Sequence, residues 1–244
     1  MTTYDDWYSD MGGAPVLQMR TTATVQFRQE KRIQESITAA VERRVLNWFA
    51  VRLPAWVNSD HLTAVGSAGM LLAGAAYALS RWHRWGLLAA IFFLAVNWFG
   101  DSLDGTLARL RNQQRPRYGF YVDHILDSFG SLFVMTGLAL SGYINPWIAI
   151  AMLIAFLLLS IEVYLATYTL GSFRLSHGKL GPTEIRLALV AGNLALYFRG
   201  AHVLGGRFLL FDIGGLVGIA AMAIMLIASA VAHTRQLYRE EPLP

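Results

Sequence analysis

Long apolar segments recur along this chain and constrain its fold more than any other feature. Of its 244 residues, 55% are hydrophobic and only 15% are charged. A helix needs about 20 mainly apolar residues to cross a bilayer core, and several segments reach that length. Backbone groups inside hydrocarbon must be satisfied internally, and the alternation typical of barrel strands is absent from the sequence. We therefore predict an all-α bundle of six transmembrane helices at about 60–80, 84–111, 118–142, 145–170, 181–199 and 207–233.

A more polar segment with helical periodicity precedes the first predicted span. Residues 30–49 place Ile33, Ile37 and Val41 at helical spacing, with charged residues on the other faces. This pattern predicts an amphipathic helix that lies on the membrane surface. We accordingly divide the chain into an N-terminal tail with this interfacial helix, residues 1–55, and a transmembrane domain, residues 56–244.

Basic residues are unevenly distributed about the predicted spans, and this sets the expected orientation. If the N-terminus is cytosolic, the outer loops carry only Arg81, Arg84, Arg199 and Arg207. Excess Lys and Arg on the inner side is typical of membrane proteins, so we expect both termini in the cytosol. The net charge of +4 therefore needs no nucleic-acid partner. The basic residues on the inner side are Arg43, Arg44, Arg52, Arg111, Arg115, Arg117, Arg174, Lys179, Arg235 and Arg239.

Four aspartates occur where the second and third predicted helices meet the cytosol. Asp101 and Asp104 are three residues apart, and Asp123 and Asp127 are four apart, so each pair lies on one helix face. A carboxylate at membrane depth costs at least a few kcal/mol, which makes a purely structural role hard to explain. Two such faces provide enough carboxylate oxygens for one or two divalent cations, Mg²⁺ or Mn²⁺. The chain has no cysteine, so thiol ligands and disulfides are excluded.

The segment D-S-L-D-G-T-L-A-R, nine further residues and then G-F-Y-V-D-H-I-L-D resemble the signature of the CDP-alcohol phosphotransferase family. That signature is D-x2-D-G-x2-A-R, a short spacer and G-x3-D-x3-D. The resemblance implies a membrane enzyme of phospholipid synthesis. Such an enzyme transfers a substituted phosphoryl group from a CDP-linked donor to a hydroxyl acceptor and releases CMP. The matching residues are Asp101, Asp104, Gly105, Ala108, Arg109, Gly119, Asp123 and Asp127.

The resemblance also implies roles for these residues. One metal ion would be held by Asp101, Asp104 and Asp123, and a second by Asp101, Asp123 and Asp127. Asp127 would also be the general base for the acceptor hydroxyl. The small residues would let the nucleotide lie against the helix backbone, and the arginine fork suits phosphate oxygens. The nucleotide-binding residues implied are Asp104, Gly105, Ala108, Arg109 and Gly119.

Two motifs bear on the substrates without separating the branches of the family. Asp123-His124 with Asp127-Ser128, and the G-P-x-E that ends at Glu184, are similar to choline and ethanolamine phosphotransferases. There Glu184 would contact a cationic amino-alcohol. The aspartate segment is more similar to microbial enzymes that use CDP-diacylglycerol with glycerol phosphate, inositol phosphate or serine. We favour CDP-diacylglycerol as donor, keep the amino-alcohol branch as the alternative, and leave a homodimer open.

The aspartates are also compatible with two other functions. A magnesium-dependent intramembrane prenyltransferase also needs clustered aspartates, but usually in two motifs on widely separated helices and with more spans. A divalent-cation carrier could use the four aspartates, but it would leave the glycines, Ala108 and Arg109 of the signature unexplained.

Glu162 in the fourth predicted span, and Glu184 with Arg186 at the start of the fifth, are candidates for a functional role. The alternative is a structural ion pair, Glu162–Arg186 or Glu184–Arg174. Asp60, just before the first span, is expected to be the N-cap of that helix.

Overall fold

The computed structural model describes residues 39–170, 182–203, 208–241 and 243, most of which are helical. Two short strands, β1 (His202–Val203) and β2 (Phe208–Leu209), form an antiparallel ladder with His202 opposite Leu209. In chain order the elements are α1 (Ala39–Arg52), α2 (Ser59–Leu79), α3 (Trp85–Leu110), α4 (Pro116–Ser141), α5 (Pro146–Leu170), α6 (Pro182–Arg199), β1 (His202–Val203), β2 (Phe208–Leu209) and α7 (Leu210–Glu240).

The expected bundle of membrane-spanning helices is confirmed. Among the described residues, five helices are long and apolar enough to cross a membrane, namely α2, α3, α4, α5 and α7. The fifth predicted span forms as α6, but it has 18 residues and contains Glu184, Arg186 and Arg199, so composition alone does not mark it as a span. Helix α7 continues to Glu240, beyond the predicted end at 233, because its polar final residues are compatible with a helix outside hydrocarbon.

Helix α1 packs on the bundle through an apolar cluster. Leu46 and Ala50 are buried in a cluster that includes Leu62, Leu103 and Leu107 from α2 and α3. The Trp48 side chain on another face is exposed. Residues 30–38 of the predicted amphipathic helix lie outside the described residues. The position of α1 on the membrane surface, and the division at residue 55, stay predictions.

The N-cap of α2 is Asn58, so the assignment of Asp60 as the cap is wrong. The Asn58 side chain accepts a hydrogen bond from the His61 backbone N–H at 3.0 Å, and His61 Nδ1 accepts from the Asn58 N–H at 3.3 Å. This reciprocal pair satisfies the first turn of the helix. Asp60 lies inside that turn, and its carboxylate instead pairs with Arg115.

Glycines bring α2 into close contact with both α3 and α4. A Cβ on Gly100 would lie 2.6 Å from the backbone nitrogen of Gly66, and a Cβ on Gly137 would lie 2.0 Å from the carbonyl oxygen of Gly74. Any side chain at these points would push the helix backbones apart. The three helices that carry and flank the four aspartates therefore form one tightly packed unit, and the close Gly66–Gly100 contact lies directly beside Asp101.

Helices α5 and α7 pack mainly on each other and are otherwise apolar on the outside. Ala149 of α5 is fully buried, whereas Trp147, Ile154 and Leu165 on the same helix are exposed. Exposed aliphatic and aromatic side chains on spanning helices are expected to face lipid. The buried core instead lies between α2, α3 and α4, around Tyr77, Leu87 and Leu138.

Candidate metal and nucleotide site

The aspartates lie on two antiparallel helices that are joined by a short turn. Asp101 and Asp104 lie near the end of α3, and Asp123 and Asp127 lie in the first half of α4. Arg115 precedes Pro116, whose fixed φ suits the first turn of α4. The reversal at this turn brings the end of one helix beside the beginning of the next.

Three of the four carboxylates converge on one point. Ligand oxygens of Asp101, Asp123 and Asp127 all lie within 4.8 Å of one another. Like charges at this distance repel unless a cation lies between them or a proton is taken up. Carboxylate oxygens are the ligands that Mg²⁺ and Mn²⁺ prefer, and the partial exposure of this group leaves room for further ligands. The donor set thus fits a hard divalent cation.

Asp104 lies in the same cleft but is held by different contacts. The Thr63 hydroxyl, on α2, donates to Asp104 Oδ2 at 2.6 Å, and the other carboxylate oxygen accepts from the Gly105 backbone N–H. The convergent group therefore contains three of the four predicted ligands, and Asp104 is fixed beside it. The role of Asp104 as a metal or nucleotide ligand stays a prediction.

Arg186 lies at the site, although the sequence interpretation left it open between a functional role and an ion pair and gave it no contact with the aspartates. It donates from a guanidinium nitrogen to Asp101 Oδ2 at 2.8 Å, and its side chain is 17% exposed. The alternative in which Arg186 pairs with Glu162 is wrong, since Glu162 instead contacts His233 Nδ1 at 2.6 Å. The available signal was a cation one turn into the predicted fifth span, a position where ionisable groups are expected to be functional.

The cleft extends from the aspartates towards the middle of the bundle. Its lining comes from α2, α3 and α4, and α4 contributes Leu126 between the two aspartates of that helix. The membrane-side end is bordered by Asn97, while Thr63 borders the end near Asp104. The full lining is Thr63, Gly66, Ser67, Met70, Asn97, Asp101, Asp104, Asp123, Leu126 and Asp127.

Two glycines of the signature lie near the end of α3 and the beginning of α4, where there is open space beside the aspartates. A Cβ on Gly119 would meet nothing within 4 Å, and a Cβ on Gly105 would be 3.4 Å from the Arg109 guanidinium. Arg109 also donates to the Thr106 hydroxyl at 3.2 Å. Ala108 is partly exposed on the same helix. This space is compatible with a nucleotide close to the backbone, but the nucleotide roles of these residues stay predictions.

Two loop arginines make defined protein contacts beside the site. The Arg111 guanidinium donates to four carbonyl oxygens in the α1–α2 connection, those of Leu53, Pro54, Ala55 and Val57. Arg115 pairs with the Asp60 carboxylate and also lies 4.2 Å from the centre of the Tyr118 ring. These contacts give both arginines structural roles beyond a general attraction to lipid headgroups.

His124 and Glu184 belong to the two motifs that bear on the acceptor branch. His124 Nδ1 lies 2.7 Å from the Phe120 carbonyl oxygen, and the His124 ring packs on the rings of Phe120 and Tyr164. These contacts give His124 a structural role in the packing of α4 against α5. Glu184 lies in the first turn of α6, but its side chain is outside the described part of the protein, and its acceptor role stays a prediction.

These features first define a class: an integral-membrane helical protein with a carboxylate cluster suited to divalent cations. Residues 56–234, most of the chain, match the family described as CDP-alcohol phosphatidyltransferase. The chain belongs to this enzyme family, which is the one that the aspartate signature resembles.

A curated relative is similar over part of the chain. The phosphatidylinositol phosphate synthase of Cutibacterium acnes (strain DSM 16379 / KPA171202) is 33% identical over 88 residues. This alignment covers 36% of the present chain and 40% of the relative's length.

Proposed function

We propose that the protein transfers a substituted phosphoryl group from CDP-diacylglycerol to the hydroxyl of a phosphate-bearing acceptor and releases CMP. The observation that carries the choice of acceptor is the Arg186–Asp101 contact at 2.8 Å. Family membership supports the general reaction, and the finer choice of substrates rests on the charges around the cleft.

Two divalent cations, Mg²⁺ or Mn²⁺, would be held by the aspartates, with Asp101, Asp104 and Asp123 as one ligand set and Asp101, Asp123 and Asp127 as the other. Bound there, the cations would neutralise the pyrophosphate and stabilise the leaving CMP. The clustering of three carboxylates supports this assignment. Asp127, the exposed member of the cluster, would accept the proton of the attacking hydroxyl.

Arg186 supports a phosphate on the acceptor for an electrostatic reason. In the structure its guanidinium neutralises part of the charge on Asp101. A divalent cation on the same carboxylate would weaken this ion pair and leave the arginine donors directed towards the cleft. A planar guanidinium fork matches phosphate oxygens, whereas it would repel a cationic amino-alcohol. The name of the relative, phosphatidylinositol phosphate synthase, agrees with a phosphate-bearing acceptor.

The remaining signature residues would bind the cytidine nucleotide. Gly105, Ala108 and Gly119 would admit it close to the backbone, and Arg109 would contact its phosphates. Because the released CMP is soluble, the site would face the cytosol, as the distribution of basic residues predicts. The amino-alcohol alternative would require Glu184 to offset the charge of Arg186 near the same cleft.

A reconstituted assay tests this proposal. Purified protein in lipid vesicles with Mg²⁺ and CDP-diacylglycerol would be given glycerol phosphate, inositol phosphate, serine or diacylglycerol, with CDP-choline and CDP-ethanolamine as alternative donors. We expect CMP release only with CDP-diacylglycerol and a phosphate-bearing acceptor. The Asp123→Asn variant is the inactive control. CMP release with CDP-choline and diacylglycerol, and none with the phosphate-bearing acceptors, would overturn the choice of branch.

A further inference from the structure

A buried asparagine borders the cleft on the membrane side of the aspartates. Asn97 lies one helical turn before Asp101 on α3, which puts both residues on the same face. The residue is 6% exposed. Its Nδ2 donates to the Gly66 carbonyl oxygen at 3.1 Å. Its Oδ1 is buried and has no hydrogen-bond partner in the described part of the protein.

The unpartnered oxygen is notable because buried polar atoms usually find a partner. Ser67, a neighbour in the cleft lining, directs its hydroxyl to the Thr63 carbonyl oxygen at 2.8 Å and so does not donate to Asn97. Met70, the other neighbour from α2, has no N–H or O–H group in its side chain. The lining described around Asn97 therefore offers its Oδ1 no side-chain donor.

The unpartnered Oδ1 of Asn97 determines what kind of group its partner must be. A carbonyl oxygen accepts a hydrogen bond, so the partner must carry an O–H or N–H group. The diacylglycerol part of the proposed donor has ester oxygens, which are acceptors only. An O–H group at this depth could come from the alcohol that attacks the donor or from a water bound to a divalent cation.

We propose that Asn97 is a substrate-side binding residue whose Oδ1 accepts a hydrogen bond from an O–H group in the aspartate cleft. The source of that group is the acceptor alcohol or a metal-bound water. The inference rests on the proposed function and adds a contact outside the aspartate signature. It assigns the membrane-side end of the cleft to recognition of a hydroxyl group.

The chain supplies a matched control in α6. Asn193 is fully buried, donates from Nδ2 to the Tyr77 hydroxyl at 2.8 Å, and also has an unpartnered Oδ1. It does not line the aspartate cleft. Replacement of Asn193 by leucine thus reproduces the loss of a buried amide without touching the proposed binding position.

The test compares Asn97→Leu, Asn97→Ser and Asn193→Leu with the wild-type protein in vesicles. Asn97→Ser is included in case leucine prevents folding. Serine also lacks the amide oxygen, it is smaller than asparagine, and its hydroxyl can bond within the helix. Three quantities are measured: Mn²⁺ affinity by electron paramagnetic resonance without substrate, KM for donor and acceptor from CMP release, and thermal unfolding. Inositol phosphate and glycerol phosphate serve as acceptor probes.

We expect both Asn97 variants to change either the acceptor KM or the Mn²⁺ affinity unfavourably, by roughly three- to tenfold. This is the range for the loss of one neutral hydrogen bond. A higher acceptor KM with unchanged Mn²⁺ affinity identifies the alcohol as the partner, and a lower Mn²⁺ affinity identifies the metal-bound water. Changes below twofold in both the acceptor KM and the Mn²⁺ affinity would overturn the inference. Equal changes in Asn193→Leu would also overturn it. If the wild-type protein releases no CMP, it is the proposed function that fails.

Discussion

Arg186 in α6 and Asp101 in α3 are joined by a hydrogen-bonded ion pair at 2.8 Å, although they are 85 residues apart in the chain. Asp101 also belongs to the convergent group with Asp123 and Asp127. One carboxylate is thus shared between a fixed cation and the candidate metal position. The charge state of the cleft therefore depends on α6 as well as on the two helices that carry the aspartates.

Loss of Arg186 should weaken binding of a phosphate-bearing acceptor. We expect Arg186→Gln to raise the acceptor KM by about 10- to 100-fold, since a hydrogen bond to a charged group contributes roughly 1.5–3 kcal/mol. Arg186→Lys should recover part of this effect because it keeps the charge without the fork. Arg84→Gln is the matched control, since Arg84 binds the Tyr197 carbonyl oxygen at the opposite end of the bundle. An unchanged acceptor KM in Arg186→Gln would contradict the assignment.

Divalent cations should be required for transfer and should stabilise the folded protein. Chelation is expected to abolish CMP release, and Mg²⁺ or Mn²⁺ should restore it. Because the site forms only in the folded protein, added Mn²⁺ should also raise the thermal unfolding temperature. Asp123→Asn should lose most of this rise. Full activity in excess chelator would rule out the metal site.

The aspartates should differ in what they contribute. If Asp127 accepts the proton of the acceptor hydroxyl, Asp127→Asn should lose turnover while it largely keeps donor binding. Asp101→Asn and Asp123→Asn, which would affect both metal ions, should lose donor binding as well. Calorimetric titration of each variant with CDP-diacylglycerol in mixed micelles would measure this. Equal retention of donor affinity in all three variants would argue against the division of roles.

The close contact between α2 and α4 should not tolerate a single added methyl group. We expect Gly137→Ala to lower the free energy of unfolding by about 1–3 kcal/mol or more, because its Cβ would lie 2.0 Å from the Gly74 carbonyl oxygen. Gly214→Ala is the control, since a Cβ on Gly214 of α7 would meet nothing within 4 Å. Reversible unfolding in detergent would compare them. Similar stability of the two variants would contradict the tight packing.

Reporter fusions should place the termini and the aspartates on the cytosolic side. Reporters at either terminus are expected to read cytosol, and one inserted after Gly142 should read the opposite side. A terminus found outside would overturn the orientation and separate the site from soluble nucleotides.

The sequence was sufficient to predict the helices and the convergence of the aspartates on two of them. Apolar length determines where a chain can span a bilayer, and the three- and four-residue spacings determine which side chains share a helix face. The same reasoning could not assign partners between distant helices. It offered Glu162 as one possible partner of Arg186, whereas the tertiary packing brings Arg186 to Asp101 and Glu162 to His233.

Local sequence was also insufficient where two polar residues compete for one role. Asn58 and Asp60 both suit the start of a helix, and Asn58 is the cap because His61 completes the reciprocal hydrogen bonds. The separate position of Asp104 had a similar cause. Its partner Thr63 is 41 residues away on α2, so spacing within α3 could not reveal the contact.

The glycine contacts among α2, α3 and α4 also bear on the order of synthesis. These helices and the four aspartates occupy one continuous stretch, Ser59 to Ser141, so a nascent chain can assemble the tight unit before α6 leaves the ribosome. During that interval Arg186 is not yet available to the carboxylates. Their neutralisation at this stage falls to protons or dissolved cations, which links insertion of the first helices to the surrounding ionic composition.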